Sequence, residues 1–436
     1  MKRNLILWAA IAASLTATAQ RQWTLQDCID YAMQNNIDLK VTKVNKQSAT
    51  EDRLQSQADL FPSLRASTNQ SVGYSPWMET GNGTVKKTYY SGSYGINAAW
   101  TVWDGGQETN QLKLNQLSEE RAELTVQETA NSIQERIAQL YVQILYTNEA
   151  IAVNRQSLEA SKKNEERGMQ MVEVGKMSKA DVAQLTAQRA ADEYNLVATE
   201  SSLANYKLQL KQLLQIMGDE PFDIAMPAAS DAQALADIPL LQSVYEQALL
   251  HRPEIKNTEL AIKASDLQLQ IAKAGRLPTV SLTGSVGTST SSRSSNGWGE
   301  QMKVNFDMVG GVGVSIPIFD NRQAKTAINK ARLSQEKAQL DMDNERNDLY
   351  NTIEGYWLDA QTNQQKFRAA RLSVESEQQS YDLLTEQFNL GLKNIVELMT
   401  GKTNLLQAQQ NMLQSKYTTI LNLQLLRFYQ GEAMKI

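Results

Sequence analysis

Tyr90-Ser91-Gly92-Ser93-Tyr94-Gly95-Ile96-Asn97-Ala98-Ala99-Trp100-Thr101-Val102-Trp103 is the stretch on which the fold turns. Tyr90, Gly92, Tyr94, Ile96, Ala98, Trp100 and Val102 fall on one face of an extended chain. Ser91, Ser93, Gly95, Asn97 and Thr101 fall on the other, with Ala99 the apolar exception. Side chains alternate across a strand, so this period of two predicts a β-strand with one apolar face. A second segment repeats the pattern. Val304, Phe306, Met308, Val312, Val314, Ile316 and Ile318 share one face, opposite Lys303, Asn305, Asp307, Gly311, Gly313 and Ser315. Ahead of it, Val280, Leu282, Gly284 and Val286 alternate with Thr279, Ser281, Thr283 and Ser285, and a weaker strand runs from about Ser63 to Tyr74. The chain is therefore expected to carry four strands.

Such strands fit either a soluble sheet or a membrane barrel. Three features favour the barrel. The polar face is Ser, Thr, Gly and Asn, which suits a water-filled lumen. Aromatic residues gather at the strand ends: Tyr74, Trp77, Tyr89 and Trp298 near the tips, Phe61, Trp103 and Phe319 at the other ends, as interfacial girdles require. The start of the chain reads as an export signal, with Lys2 and Arg3 ahead of an apolar run from Leu5 to Leu15 and a small-residue cleavage pattern at Ala17-Thr18-Ala19. Residues 1–19 are assigned to that signal peptide. Beyond it no run of about 18 apolar residues occurs, so entry into a membrane has to be by strands. Four strands cannot close a barrel, and open edges are not tolerated in lipid. Two copies would give eight strands and an interior filled by side chains; three would give twelve and room for a lumen. The sequence demands an oligomer and favours a trimer.

The rest of the chain is a tandem duplication. Leu25-Gln26 recurs as Leu241-Gln242, Pro62 as Pro278, Trp103-Asp104-Gly105-Gly106-Gln107 as Phe319-Asp320-Asn321-Arg322-Gln323, and Gly175 as Gly391, always 216 residues later. Residues 20–217 form the first repeat, 218–239 a linker interrupted by Pro221, Pro227 and Pro239, and 240–436 the second repeat. Within each repeat the order is a helix (about Leu25 to Leu60, and Leu241 to Arg276), two strands, then long helices. The stretches from about Gly106 to Val174 and Arg322 to Leu390 lack proline, and such a helix would be on the order of 100 Å long at 1.5 Å per residue. Leu112, Ala122, Val126, Ile133, Ile137, Leu140, Ile144 and Ile151 place an apolar stripe at helical spacing. A helix of that length has to pack sideways against others, coiled-coil fashion.

Composition narrows the function. The net charge of −5 becomes −7 once Lys2 and Arg3 leave with the signal peptide, which disfavours nucleic acid as a partner. Cys28 is the single cysteine, which precludes an intramolecular disulfide, and it reads as a small buried helix residue. His251 is the single histidine, and no cluster has metal-ligand spacing. With no nucleophile–base signature and no phosphate-binding loop either, neither an enzyme nor a cofactor is expected. Asp104 and Asp320, each followed three residues later by Gln, sit where strand becomes helix and read as strand-to-helix caps. The competing class is an exported coiled-coil scaffold or adhesion protein with a small soluble sheet.

The duplicated helix–hairpin–long-helix order, with Pro317-Ile318-Phe319-Asp320-Asn321-Arg322 at a strand end and Ala248-Leu249 followed by Arg252-Pro253-Glu254-Ile255, resembles the TolC-like outer-membrane efflux family. The resemblance implies a mainly α fold with a membrane β-barrel: a long antiparallel α-helical coiled-coil barrel plus four β-strands per chain, closing as a twelve-stranded barrel in a homotrimer. It also implies an outer-membrane exit duct with a periplasmic tunnel, serving tripartite efflux or type I secretion. Its partners would be outer-membrane lipid, a periplasmic adaptor and an inner-membrane transporter. The segment Gly391-Leu392-Lys393-Asn394-Ile395-Val396-Glu397-Leu398 is similar to the family's gate. Lys393 takes its basic position and Glu397 its first acidic one, with Asp181 the equivalent acid of the first repeat. Thr400 and Phe388 depart from the family's second acid and its tyrosine.

Overall fold

The computed structural model describes residues 22–74, 88–218, 222–227 and 229–435. The expected signal peptide, Trp77 and most of the tip from Pro76 to Thr88 lie outside the described residues. The chain divides into two compact units. One comprises the residues up to Thr42, Val126–Ile255 and Glu345–Ile436, the other Lys43–Thr125 and Lys256–Asn344.

The first half runs β1 (Gln22–Trp23), α1 (Leu25–Asn35), α2 (Ile37–Ala58), β2 (Ser63–Tyr74), β3 (Thr88–Trp103), α3 (Gln107–Glu173) and α4 (Lys179–Leu213). Two short elements, β4 (Asp223–Ile224) and α5 (Asp231–Ala234), follow in the expected linker. The second half runs α6 (Leu241–His251), α7 (Pro253–Ala274), β5 (Thr279–Ser291), α8 (Trp298–Val304), β6 (Asp307–Ser315), α9 (Gln323–Asn389) and α10 (Ile395–Tyr429). All four helices of the first half recur 216 residues on with identical bounds.

One unit holds a four-stranded antiparallel sheet in the order β2-β3-β5-β6. Each half donates one hairpin, and β3 and β5 join them. The register pairs Leu64 with Ala98, Ile96 with Val286, Trp100 with Leu282, and Val280 with Val314. Even numbers therefore meet even numbers across the sheet, and the apolar positions of all four strands share one face. A bulge between Thr101 and Trp103 is the exception. It sets Trp103 opposite Val280, so an odd-numbered tryptophan joins the apolar face.

The other unit packs the middle of α3 against the C-terminal ends of α4 and α10 around a core that includes Cys28, Ala32, Ile137, Ile144, Leu210, Leu214 and Ile224, all buried. The linker is strapped onto it. β4 pairs in parallel with β1, the Tyr141 hydroxyl donates to the Ala225 carbonyl at 2.7 Å, and Gln364 Nε2 donates to the carbonyls of Ala234 and Ala236.

The structure corrects two expectations. The single helices expected over Leu25–Leu60 and Leu241–Arg276 are each broken, at Asn36 and at Arg252, where ψ is near +130°. Arg252 precedes Pro253, whose ring excludes helical geometry from the residue before it. Asn36 has no proline after it; its Oδ1 accepts from the Leu39 amide and caps the new helix while its Nδ2 donates to the Leu213 carbonyl. Each break thus reaches the end of its own half's last helix, since Arg252 stacks 4.2 Å over the Tyr429 ring. The second correction concerns β6, which spans Asp307–Ser315 rather than Val304–Ile318. Val304 ends α8, and Pro317 lacks the amide that would continue the ladder.

Arg252 is 9 % exposed and pairs with Glu254 at 2.8 Å and Glu135 at 3.4 Å. Burial pushes the Glu135 carboxyl above its usual range, against the pull of Arg252. Removing the guanidinium would strand that carboxylate. Arg252→Ala is expected to cost about 3 kcal/mol, read as a shifted denaturation midpoint in detergent. Arg252→Lys should recover only part of it, because an ammonium cannot reproduce the forked pairing with Glu254.

Candidate functional site

The first candidate surface is the apolar face of the sheet. Leu64 is 75 % exposed and Val312 70 %, and Val72, Ile96, Met308 and Val314 are likewise open. The opposite face carries Ser67, Asn69, Ser71, Ser91, Ser93, Asn97, Ser281 and Ser285. β2, β3, β5 and β6 are 12, 16, 13 and 9 residues long. A tilted membrane strand needs about 9–11 residues, so each is long enough to cross. The outer edges of β2 and β6 have no strand partner among the described residues. No described helix is long and apolar enough to cross a membrane.

Aromatic side chains mark both ends of these strands. Phe61, Trp103 and Phe319 are exposed at one end, and Tyr74 and Tyr90 at the other. Trp298 opens α8 instead of ending a strand, and it meets Tyr94 edge-on with ring centroids 6.3 Å apart. α8 is stitched to β5: the Ser291 amide donates to Gln301 Oε1 at 2.7 Å, and the Thr288 hydroxyl donates to the Met302 carbonyl at 2.9 Å.

Where strand becomes helix, Asp104 Oδ1 accepts from the amides of Gly106 and Gln107, and Oδ2 from Glu108. Asp320 Oδ2 accepts from the Ala324 amide at 2.6 Å. Both carboxylates serve first-turn amides that have no partner inside the helix. The turn itself needs left-handed backbone at two successive residues, with φ of 75° and 86° at Gly105 and Gly106. The second half meets the same demand without glycine, at Asn321 (51°) and Arg322 (68°).

The second candidate site is the pair of hairpin ends where α3 turns into α4 and α9 into α10. Gly175 and Gly391 make the turns in left-handed conformation. Asp181 is held in a capping box with Ser178: its Oδ2 accepts from the Ser178 amide and hydroxyl, and its own amide donates to Ser178 Oγ. Glu397 and Asn394 repeat that box, and Lys393 Nζ adds a 2.6 Å bond to Glu397 Oε1. Lys393 foremost, then the Asn394 amide, holds the Glu397 carboxyl below its usual range. Lys393 and Glu397 are thus brought together, whereas the hydrogen bonds of Asp181 all go to Ser178. Phe388 is buried against Leu185, Ile395 and Leu398, so the position that departs from tyrosine packs and makes no polar link. The Thr400 hydroxyl donates back to the Val396 carbonyl of its own helix.

Sequence reasoning passed over Lys402. Its ammonium donates to Asp192 Oδ2 and Ser161 Oγ in a site where Lys402 is 6 % and Asp192 2 % exposed. The signal was present: Leu398, Lys402 and Leu405 follow the spacing of a buried helix stripe. Burial pushes the Lys402 ammonium below the usual lysine range.

A sheet with one apolar face, unpaired edges and long flanking helices defines a class, the outer-membrane channel built from several chains. Residues 28–215 and 244–432 match the family described as outer membrane efflux proteins, and the chain belongs to that family. It is similar to the outer membrane efflux protein BepC of Brucella suis biovar 1 (strain 1330), 23 % identical over 93 % of this chain and 85 % of the relative. It is similar also to the outer membrane protein TolC of Escherichia coli (strain K12), 23 % identical over 97 % of this chain and 85 % of the relative. The solved CmeC outer membrane channel of Campylobacter jejuni superposes with a TM-score of 0.79 at 18 % identity, over 94 % of this chain and 87 % of that one. The fold is therefore that of these channels, and the family is one of channel proteins.

Two outcomes test the site. Val312→Arg places a charge on the apolar face and should lower barrel stability by about 2–4 kcal/mol in vesicle-refolding titrations, whereas Ser285→Arg on the polar face should be tolerated. Glu397 has a lowered carboxyl, so its contribution to the tip is full above the unfolded value of about 4.3 and is lost as pH falls through the folded one. Acidification should therefore speed amide exchange at the start of α10, and Glu397→Gln should abolish that pH dependence.

Proposed function

We propose that this protein is the outer-membrane exit duct of a tripartite efflux or type I secretion system, conducting substrate passively across the periplasm and the outer membrane. The observation that carries the reading is the sheet: four antiparallel strands, an exposed apolar face and two unpaired edges. With an even number of strands per chain, β2 of one copy meets β6 of the next in antiparallel sense. Copies can then join without a parallel mismatch until the barrel closes. Three copies supply twelve strands, enough to leave a lumen lined by the Ser, Thr, Gly and Asn face. A soluble scaffold would leave the band from Leu64 to Val314 facing water, a patch larger than soluble monomers normally expose.

In this reading residues 1–19 direct export and are removed, and the repeats 20–217 and 240–436, joined by 218–239, each supply one hairpin and one pair of long helices. Asp104 and Asp320 cap the passage from barrel to helices. The ends bearing Asp181, Lys393 and Glu397 form the periplasmic entrance, where an adaptor and an energised inner-membrane transporter would join. Cargo is left unassigned.

The test is single-channel conductance of detergent-purified protein in planar bilayers, with the oligomer mass measured first. A trimer with discrete openings is expected, and a monomer soluble without detergent and silent in bilayers would overturn the reading. Lys393→Ala combined with Glu397→Ala should raise the open fraction several-fold; unchanged conductance would remove these residues from the gate.

A further inference from the structure

The apolar face of the sheet ends at a definite row. Ala66, Ile96, Val286 and Met308 stand side by side in register, the last row toward the tips that is apolar on all four strands. The next rows on the same face are Thr68, Tyr94 and Thr288, then Gln70, Gly92 and Thr290. One step further, the Tyr90 hydroxyl donates to Gln70 Oε1. The face thus turns polar and aromatic within two rows.

α8 lies on that boundary. Trp298 meets the Tyr94 ring of β3, and Thr288 of β5 donates to the Met302 carbonyl. Asn305 Nδ2 donates to the Ser289 carbonyl at 2.6 Å, after which the chain enters β6. The helix therefore runs across β3 and β5 toward β6 instead of along any strand. It leaves Thr290 only 3 % exposed and Gln301 6 %, on a face that is otherwise open. Tyr94, Thr288 and Thr290 are even-numbered, so α8 covers the side that carries the apolar band and not the Ser-rich side. Thr288 lies eight residues along β5 from Val280. At about 3.3 Å per residue and the usual tilt that is about 20 Å of height, near the top of a lipid-facing band about 25 Å tall.

The outer surface of α8 has the chemistry of that depth. Trp298, Val304 and, just beyond the helix, Phe306 are exposed, and so are Glu300 and Lys303 between them. Water would leave the three large apolar side chains open, and hydrocarbon would strand the two charges. The headgroup layer satisfies both, and it is where tryptophan gathers and where short helices bearing apolar and charged side chains lie. The first repeat has no counterpart: Thr88, 216 residues before Val304, already begins β3. The device occurs once per chain.

We propose that α8 is a docking helix for the headgroup layer of the outer leaflet. Trp298, Val304 and Phe306 dip toward the acyl chains, and Lys303 pairs with lipid phosphate. Continuity with the apolar face below selects this occupant over a soluble partner. The proposal rests on the channel reading above and adds the surface that fixes how deep the barrel sits.

The test uses Val304→Cys, Val312→Cys and Ser294→Cys, one at a time, in the full-length protein; native Cys28 is buried and does not compete for label. Each carries one spin label in vesicles of phosphatidylethanolamine and phosphatidylglycerol. Depth is read from collisions with oxygen, which concentrates in hydrocarbon, and with a nickel chelate, which stays in water. The Val312 label should meet oxygen, the Ser294 label the chelate, and the Val304 label should report the phosphate level between them. Trp298→Ala with Phe306→Ala should raise chelate collisions at the Val304 label several-fold and leave the Val312 label unchanged; Lys303→Glu should act in the same direction. A Val304 label as open to the chelate as the Ser294 label, with Val312 still in hydrocarbon, would overturn the proposal and leave the channel reading standing. So would a Val304 label shielded from both probes, because α8 would then lie against a neighbouring copy. A Val312 label in water would remove the channel reading itself. If the double variant does not refold, the three depths in otherwise native protein decide.

Discussion

A strand buried in hydrocarbon has no water to satisfy its backbone, so every amide and carbonyl must find another strand. That constraint governs this molecule. Among the described residues β2 and β6 end the sheet with unpaired edges, while one face is apolar from Leu64 to Val314. A single chain cannot resolve the conflict and several copies can. The even register is the other half of the same constraint, since a slip of one residue would turn Ile96 and Val286 toward the lumen and Asn97 and Ser285 toward lipid. The bulge before Trp103 shows the rule being broken once, where it returns an aromatic to the apolar face.

Duplication supplies the parts in pairs, and the departures from it mark where the halves have different tasks. Gly105-Gly106 and Asn321-Arg322 make the same left-handed turn, which glycine accepts freely and arginine does not. Asn36 and Arg252 break the first helices at equivalent points, one with a neutral cap and one with a buried ion network. Ser178–Asp181 and Asn394–Glu397 repeat a capping box, yet only the second half adds a lysine, where Met177 stands in the first. Lys402 goes further, because its partners come from the other half.

Much of this was legible in the sequence because period and punctuation are local. Alternation at even positions marked the strands, and the proline-free stretches marked α3 and α9 to within a residue at each end. The offset of 216 tied the two halves together. Family likeness narrowed the membrane to the outer membrane. Two features misled: Val304 continued an alternating pattern but entered α8, and Asn36 broke a helix with no proline after it. Gln301 and Leu213, the partners that decide these cases, lie 10 and 177 residues from the groups they bind.

The sequence by itself determined which strand faces are apolar, where the longest helices begin and end, and that four strands would be left with open edges. These depend on interactions between residues a few positions apart. Only the tertiary structure decided that β3 and β5 join the halves, that the linker lies strapped across the middle of α3 and α9, and that Lys402 faces Asp192. The physical reason is the same in each case. A buried charge is stable only beside its partner, and that partner is 210 residues away along the chain.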